Sequence, residues 1–419
     1  MYVALMACGW APLPWHMQIG DLVLPVLLVL ALPAVRWQWR RLDLFLLLFI
    51  AGSVLSIPGS IAARQSGLDV LKEAYLFAAY LTLAHLMART GALPVVRWLP
   101  VSVAVTSVLS LAAALVFALT GSVWTPFGQP MPLPYIGTVF RLTGTLEAPE
   151  FFGNLLTVAV PLAIVCRAQA TDRRPWTVAL AVMAAAEALT FSKSLAGCVV
   201  AVTVLLWPDW RGRRGALGFK AASVAVATLL VLAFNVAAAV TVRKVDVTFG
   251  KDSTIPPPPY VYARQDATGA DTIQVRLAYN PMSYYLVKKA GWVAWRRQPI
   301  LGIGLGTFYL EAERAYQEGR LPQSYRRIAA HSTVFGRLAE TGIVGLATLA
   351  IALFGAWRCT LAAMRASGSD RQIAWACLGG FVGLFINGIN VDIMHFRFLW
   401  LGLAAIRAID QRAGEGKTA

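Results

Sequence analysis

Residues 98–119 read WLPVSVAVTSVLSLAAALVFAL, an apolar run without a single charged side chain. A helix needs about 20 such residues to cross a hydrocarbon core roughly 30 Å thick, and this run supplies them. Working outward, comparable stretches recur near 19–35, 42–60, 69–88, 150–166, 176–191, 194–208, 219–241, 332–357, 372–389 and 392–408, giving eleven expected spans. Residues 1–18 are apolar too, but Pro12 and Pro14 interrupt them, so a twelfth span there is left open.

Composition agrees. The 419 residues are 58% hydrophobic and 14% charged, with a mean hydropathy of +0.62. A soluble chain carries roughly 25% charged residues, so this one cannot cover itself with polar surface. An ordinary cytosolic enzyme is excluded, and the dominance of Leu, Ala and Val excludes disorder. The expected fold class is all-α: a polytopic transmembrane bundle of 11–12 spans with a long, partly helical periplasmic loop. The net charge of +16, from 37 basic and 21 acidic residues, points to membrane lipids with anionic headgroups or to phosphorylated ligands. Nucleic acid is not expected, because no polar domain is present to carry a face for it.

Basic residues in short loops orient the spans. Alternate connections hold Arg36, Arg40 and Arg41, then Arg89 and Arg97, then Arg167, Arg173 and Arg174, then Arg211, Arg213, Arg214 and Lys220, then Arg358, Arg365 and Arg371. These connections and the C-terminus are read as cytoplasmic. The chain divides into residues 1–241 (eight or nine spans), a periplasmic loop or cap over 242–330, and three spans over 331–419. The N-terminus lacks a signal-peptide pattern, so the first span is expected to serve as the targeting signal.

The 242–330 loop holds thirteen Lys or Arg against seven Asp or Glu. It reads either as a solvated, ion-paired surface or as a basic cap over a phosphorylated ligand. Pro256 to Pro259 predict a stiff polyproline stretch. Tyr284 to Arg297 predicts an amphipathic interfacial helix, with Leu286, Val287, Ala290 and Val293 on one face and Lys288, Lys289, Arg296 and Arg297 near its edges. Gly302, Gly304 and Gly306 predict a flexible turn. Cys8, Cys166, Cys198, Cys359 and Cys377 share no metal-ligand spacing, so neither a disulfide framework nor a zinc site is expected.

Ionisable residues inside spans are costly and by default suggest function. Lys72 with Glu73, Glu187 with Lys193, Arg141 with Glu147 and Glu150, His331 with Glu340, Asp392 with His395 and Arg397, and Asp21 all fall at the outward ends of their spans; Asp43 is the exception. A transporter would place such groups at the midplane. Collected at one face, they favour an enzyme acting on membrane-anchored substrates.

The stretch His331-Ser-Thr-Val-Phe335-Gly-Arg-Leu-Ala-Glu340-Thr-Gly342-Ile-Val-Gly345 resembles the signature of the O-antigen ligase and polymerase superfamily: a His, a small polar residue, then Glu-x-Gly-x-x-Gly entering a span. Pro299-Ile-Leu-Gly302-Ile-Gly304-Leu-Gly306-Thr-Phe308 resembles the family's Gly-rich approach to it. Arg276 resembles the arginine that opens this region. Arg141-Leu-Thr-Gly144 with Pro149 and Gly153 resembles a further segment, with Glu150 where Asn is usual, and Phe191-Ser192-Lys193-Ser194 resembles a Ser-Arg segment with Lys in place of Arg. That change gives a point charge where a planar fork would bind phosphate bidentately.

The resemblance implies a metal-independent glycosyltransferase without a cofactor, whose donor is an undecaprenyl-diphosphate-linked O-antigen. A ligase moves the glycan onto lipid A–core; a polymerase moves it onto another lipid-linked repeat; a transporter or flippase of the same lipid would be the non-enzymatic alternative. The ligase is the preferred reading. The resemblance further implies that Arg141, Arg276 and Lys193 meet the diphosphate and that His331 is the general base for the acceptor hydroxyl. Ser332 is expected to cap the helix after it, Glu340 to pair with another span, and His395 to support the site beside Asp392. His16 and His85 read as structural. Glu311 and Glu313 read as helix-capping rather than metal-binding.

Overall fold

The computed structural model describes residues 1–9, 19–31, 38–124, 126–133, 137–206, 245–248, 261–265, 271–275, 282–321 and 325–415. The expected span 219–241, the Pro256–Pro259 run and Arg276 lie outside the described residues. The chain is an all-α polytopic protein. Its helices are α1 (Tyr2–Leu5), α2 (Ile19–Ala31), α3 (Arg41–Leu55), α4 (Ala63–Thr90), α5 (Leu93–Val96) and α6 (Trp98–Thr120), then α7 (Pro149–Gln169), α8 (Arg174–Leu189) and α9 (Ser194–Leu205). Beyond them come α10 (Met282–Arg297), α11 (Phe308–Gln317), α12 (Thr333–Ala363), α13 (Gly368–Asn387) and α14 (Arg397–Glu415).

Each expected span among the described residues contains a helix, though the last begins at Arg397 rather than 392 and its first residues form the loop after α13. By length and hydropathy, three helical stretches there could cross a membrane: Leu93–Thr120, Pro149–Gln169 and Thr333–Ala363. The others are shorter or more polar. Two small antiparallel sheets add to the helices. One is the hairpin β1 (Gly128–Leu133) and β2 (Gly137–Leu142); the other orders β3 (Val245–Thr248), β5 (Asp271–Val275) and β4 (Val261–Gln265). The described part of 242–330 is thus partly helical, as expected, with short strands beside its helices. Alternation such as Val245-Asp-Val-Thr has the period of a strand.

Small residues set the helix spacing. In lipid there is little hydrophobic drive between helices, so close backbone approach must supply the packing. On α13, a Cβ at Gly379 would lie 2.3 Å from the Ala201 carbonyl oxygen, and one at Gly383 2.4 Å from that of Gly197, both on α9. On α3, a Cβ at Gly52 would meet Thr348 Oγ1 of α12 at 2.1 Å.

Buried ion pairs fasten the bundle at both ends. At one end Asp43 of α3 accepts from Arg407 Nε of α14 (2.7 Å) and from the Tyr80 hydroxyl of α4 (2.6 Å). At the other, Glu73 of α4 pairs with Arg337 of α12 at 2.5 Å, and Asp21 of α2 pairs with Arg397 of α14 and accepts from the Tyr75 hydroxyl at 2.8 Å. An unpaired charge at these depths would cost several kcal/mol.

α12 is broken at Gly342, whose φ of 64° and ψ of −163° are not helical. The segment after α10 fills the break. Ile303 and Gly304 N–H donate to the Ala339 and Glu340 carbonyls (3.0 and 2.8 Å), while Ile343 and Val344 N–H donate to the Pro299 and Ile300 carbonyls (2.9 and 3.2 Å). The backbone groups freed by the break are thus satisfied. Gly302, Gly304 and Gly306 have φ of 71°, 101° and 70° and lie against α12 and α4. A Cβ at Gly302 would sit 2.4 Å from the Glu340 carbonyl carbon, and one at Gly306 1.7 Å from Asp69 Oδ2. The expected flexible turn is instead a locked one.

The stripe Val287, Ala290 and Ala294 of α10 is buried with Phe308 and Ala312 of α11 and Ala339 of α12. It therefore packs on protein, leaving Tyr285, Lys289, Trp292 and Arg296 exposed.

Candidate functional site

The sequence motifs meet at the end of the bundle where α7, α9, α12 and α14 begin. His331 lies two residues before α12 with φ of 45°, a left-handed conformation costing a non-glycine residue about 1–3 kcal/mol. Neighbouring bonds hold it there. Thr333 N–H donates to the Gly388 carbonyl (2.8 Å), its hydroxyl donates to the Val391 carbonyl (3.0 Å), and Ile393 N–H donates to that hydroxyl (3.1 Å). Ser332 Oγ caps α12 by accepting from Phe335 N–H at 3.3 Å. The segment before α12 is thereby stitched to the loop between α13 and α14.

The His331 ring donates a hydrogen bond to the backbone at Asn390. One ring nitrogen is then a donor, which leaves the lone pair on the other. Burial lowers the imidazole pKa below the usual 6.5, offset in part by the charge of Glu150 and by the Asn390 bond. At neutral pH the ring is a neutral acceptor.

Arg141 stands on β2. Its Nε donates to the Thr190 carbonyl (2.9 Å), one terminal nitrogen donates to Glu150 Oε1 (2.9 Å) and the Phe191 carbonyl (3.3 Å), and the other faces Met131 Sδ at 3.5 Å. Every nitrogen of the guanidinium is engaged. It fastens the hairpin to the first turn of α7 and to the turn before α9, where Phe191 also has a positive φ of 47°.

Lys193 sits at the start of α9, at the far side of that turn. Burial pushes its pKa down to about 8, helped by the nearby Lys288 ammonium and opposed by Glu150. Lys288, on α10, donates from Nζ to Asn390 Oδ1 at 2.9 Å, and burial lowers its pKa as well. Glu150 thus faces Arg141, Lys193 and His331, and Asn390 faces His331 and Lys288.

The structure brings together three of the residues expected at the site: His331, Arg141 and Lys193. Arg276 lies outside the described residues. His395 faces Asp392, Nδ1 to Oδ2, at 3.3 Å, in the loop that carries Asn390. Glu340 is a correction. Among the described residues it makes no ion pair with another span; its carboxylate accepts from Phe308 N–H at 3.0 Å and from the Gly306 backbone, so it caps α11 and holds the Gly-rich loop. The Gly-rich loop laid into the break at Gly342, two residues on, brings these donors to Glu340. Glu311 and Glu313 are not simple caps either. Glu311 pairs with Arg297 (2.9 Å), and Glu313 with Arg326 (2.7 Å) and Arg327 (3.2 Å).

Lys288 and Asn390 escaped the sequence reading as site residues. Lys288 carried a signal, a cation at the edge of an amphipathic face. Asn390 carried none, because its role comes from the loop that places it. Among the described residues, no group of three or more His, Cys, Asp or Glu is placed to hold a metal ion.

No curated protein matches the chain. Residues 178–350 match the family model described as O-Antigen ligase, a region running from α8 into α12 that holds Lys193, Lys288 and His331. Across that region the chain is similar to the O-antigen ligase family, whose members are membrane glycosyltransferase-like enzymes.

Proposed function

We propose that this chain is an O-antigen ligase of the bacterial inner membrane, with its site at the periplasmic face. It transfers glycan from undecaprenyl diphosphate to a sugar hydroxyl of lipid A–core. The observation that carries this reading is that His331, bonded to the backbone at Asn390, and Lys193 share Glu150 as a charged neighbour within the matched region. In the transfer, the bond between the anomeric carbon and the diphosphate oxygen breaks and the electron pair leaves with the diphosphate. The acceptor oxygen bonds to that carbon, and its proton passes to His331. The departing diphosphate gains a negative charge, which Lys193, Arg276 and Arg141 would meet. Cations in a site of low dielectric can supply this stabilisation without a metal.

Arg141 serves this reading with a qualification from geometry. Its donors are already on Glu150 and two carbonyls, so its first effect is to position the turn that carries Lys193.

The test is transfer of labelled glycan by purified protein in the presence of EDTA, offered lipid A–core and lipid-linked repeat together. Label on lipid A–core is the expected result. Label on the repeat would make the protein a polymerase, and donor that binds but is never consumed would make it a transporter.

A further inference from the structure

The cations at the site differ in what they face. Arg141 is neutralised by Glu150 at 2.9 Å. Lys288 donates to a neutral amide oxygen, that of Asn390, at 2.9 Å. Across the site Lys193 feels Lys288 as a like charge, with Glu150 of α7 as the opposing one and Arg141 of β2 bonded to the carbonyl two residues earlier in its turn. Two half-buried ammonium groups that repel each other cost free energy in the empty protein. A ligand carrying two adjacent negative groups would reverse that sign.

Asn390 adds a second observation. Its side chain holds the Lys288 ammonium and its backbone holds the His331 ring. The place where the leaving group gains charge and the place where the proton arrives are therefore set by one residue.

We propose that Lys288, held by Asn390, is a second cation for the donor's diphosphate, and that Asn390 is the positioning residue linking it to the base. This rests on the glycosyl-transfer reading above for the identity of the ligand. The pair Lys193 and Lys288 then straddles the diphosphate as two point charges, while Arg141 stays tied to Glu150.

Binding measured without turnover tests it. Undecaprenyl diphosphate is titrated into the full-length protein in nanodiscs between pH 6.5 and 9.5, with inorganic pyrophosphate as competitor. An anion between the lysines raises both pKa values, so binding takes up protons. Affinity is full below about 8, the value for Lys193, and declines as pH rises through that region. K288M should raise Kd tenfold or more. It should also move the alkaline decline to higher pH, because Lys193 then lacks a like-charged neighbour. K289M removes the same charge from an exposed position on the same helix and should leave both unchanged.

A K288M protein that binds within twofold of wild type with an unmoved pH limb overturns the proposal, as does K289M weakening binding equally. If K288M does not survive solubilisation, N390A carries the test, and wild-type affinity in N390A at pH 7 overturns it. A merely structural Lys288 would lower Tm without moving the pH limb. Wild type that binds the lipid yet transfers nothing refutes the ligase reading alone. Wild type that transfers, with K288M binding normally, refutes this inference alone.

Discussion

At the residue scale, His331 is strained in its backbone, bonded through one ring nitrogen and lowered in pKa by burial. If it is the base, H331A should keep the wild-type Tm and still bind the donor lipid, while transfer falls about 100- to 10,000-fold. A variant retaining more than about a tenth of wild-type transfer would remove His331 from that role. The sign of the pH dependence follows from the lowered pKa. The neutral ring is the active form, so kcat/KM should hold at pH 7 and fall only as pH drops through a value below 6.5. An acid limb centred above 6.5 would contradict the burial seen here. Arg141 predicts a different signature. R141A frees Glu150 and unties the turn at Thr190 and Phe191. Hydrogen bonds to charged groups are worth about 1.5–3 kcal/mol, and the half-exposed Glu150 puts this pair at the low end. Tm should therefore fall together with activity, whereas an unchanged Tm would show that the tie does not stabilise the fold.

At the scale of elements, the central unit is the broken helix α12 with the Gly-rich segment laid into its break. Gly342 and Gly319 have nearly equal positive φ, 64° and 71°, but different surroundings. A Cβ on Gly342 would lie 2.3 Å from the Ile300 carbonyl oxygen, while one on Gly319 has nothing within 4 Å. G319A should cost only the left-handed penalty of roughly 1–2 kcal/mol. G342A adds a backbone clash that no side-chain rotation relieves, so its loss of Tm should be clearly larger. Equal losses in the two variants, read by thermal unfolding in detergent, would show that the break is not held by this contact. The same unit explains why Glu340 belongs to the motif: it caps α11 from within α12 and keeps the loop seated.

At the scale of the molecule, the site gathers at one end of the bundle and the clamp of Asp43 with Arg407 and Tyr80 at the other. The proposed orientation puts the site end in the periplasm. Cysteine placed at exposed Gln317, the last residue of α11, should be labelled from the periplasmic side, and cysteine at exposed Ser367, between α12 and α13, from the cytoplasmic side. The reverse pattern would invert the protein and, with it, the leaflet from which donor is taken.

Sequence alone determined the fold class and the approximate position of the long helices, and it named His331, Arg141 and Lys193, which the fold gathers near Glu150. These rest on local information: apolar length, helix-stopping residues, and charges too costly to place in a span without a partner. It could not show which charges pair. Glu73 and Arg337, or Asp21 and Arg397, lie hundreds of residues apart and meet only because α4, α12, α2 and α14 pack as they do. Nor could periodicity place Glu340, whose partners lie in the Gly-rich loop that only the fold lays against α12. The strands within 242–330 were short enough for the helical reading to pass over them. Asn390 is the clearest case. As a loop residue without pattern, it acquires a role only when α10 and the segment before α12 are folded against that loop, bringing Lys288 and His331 to it from more than fifty residues away.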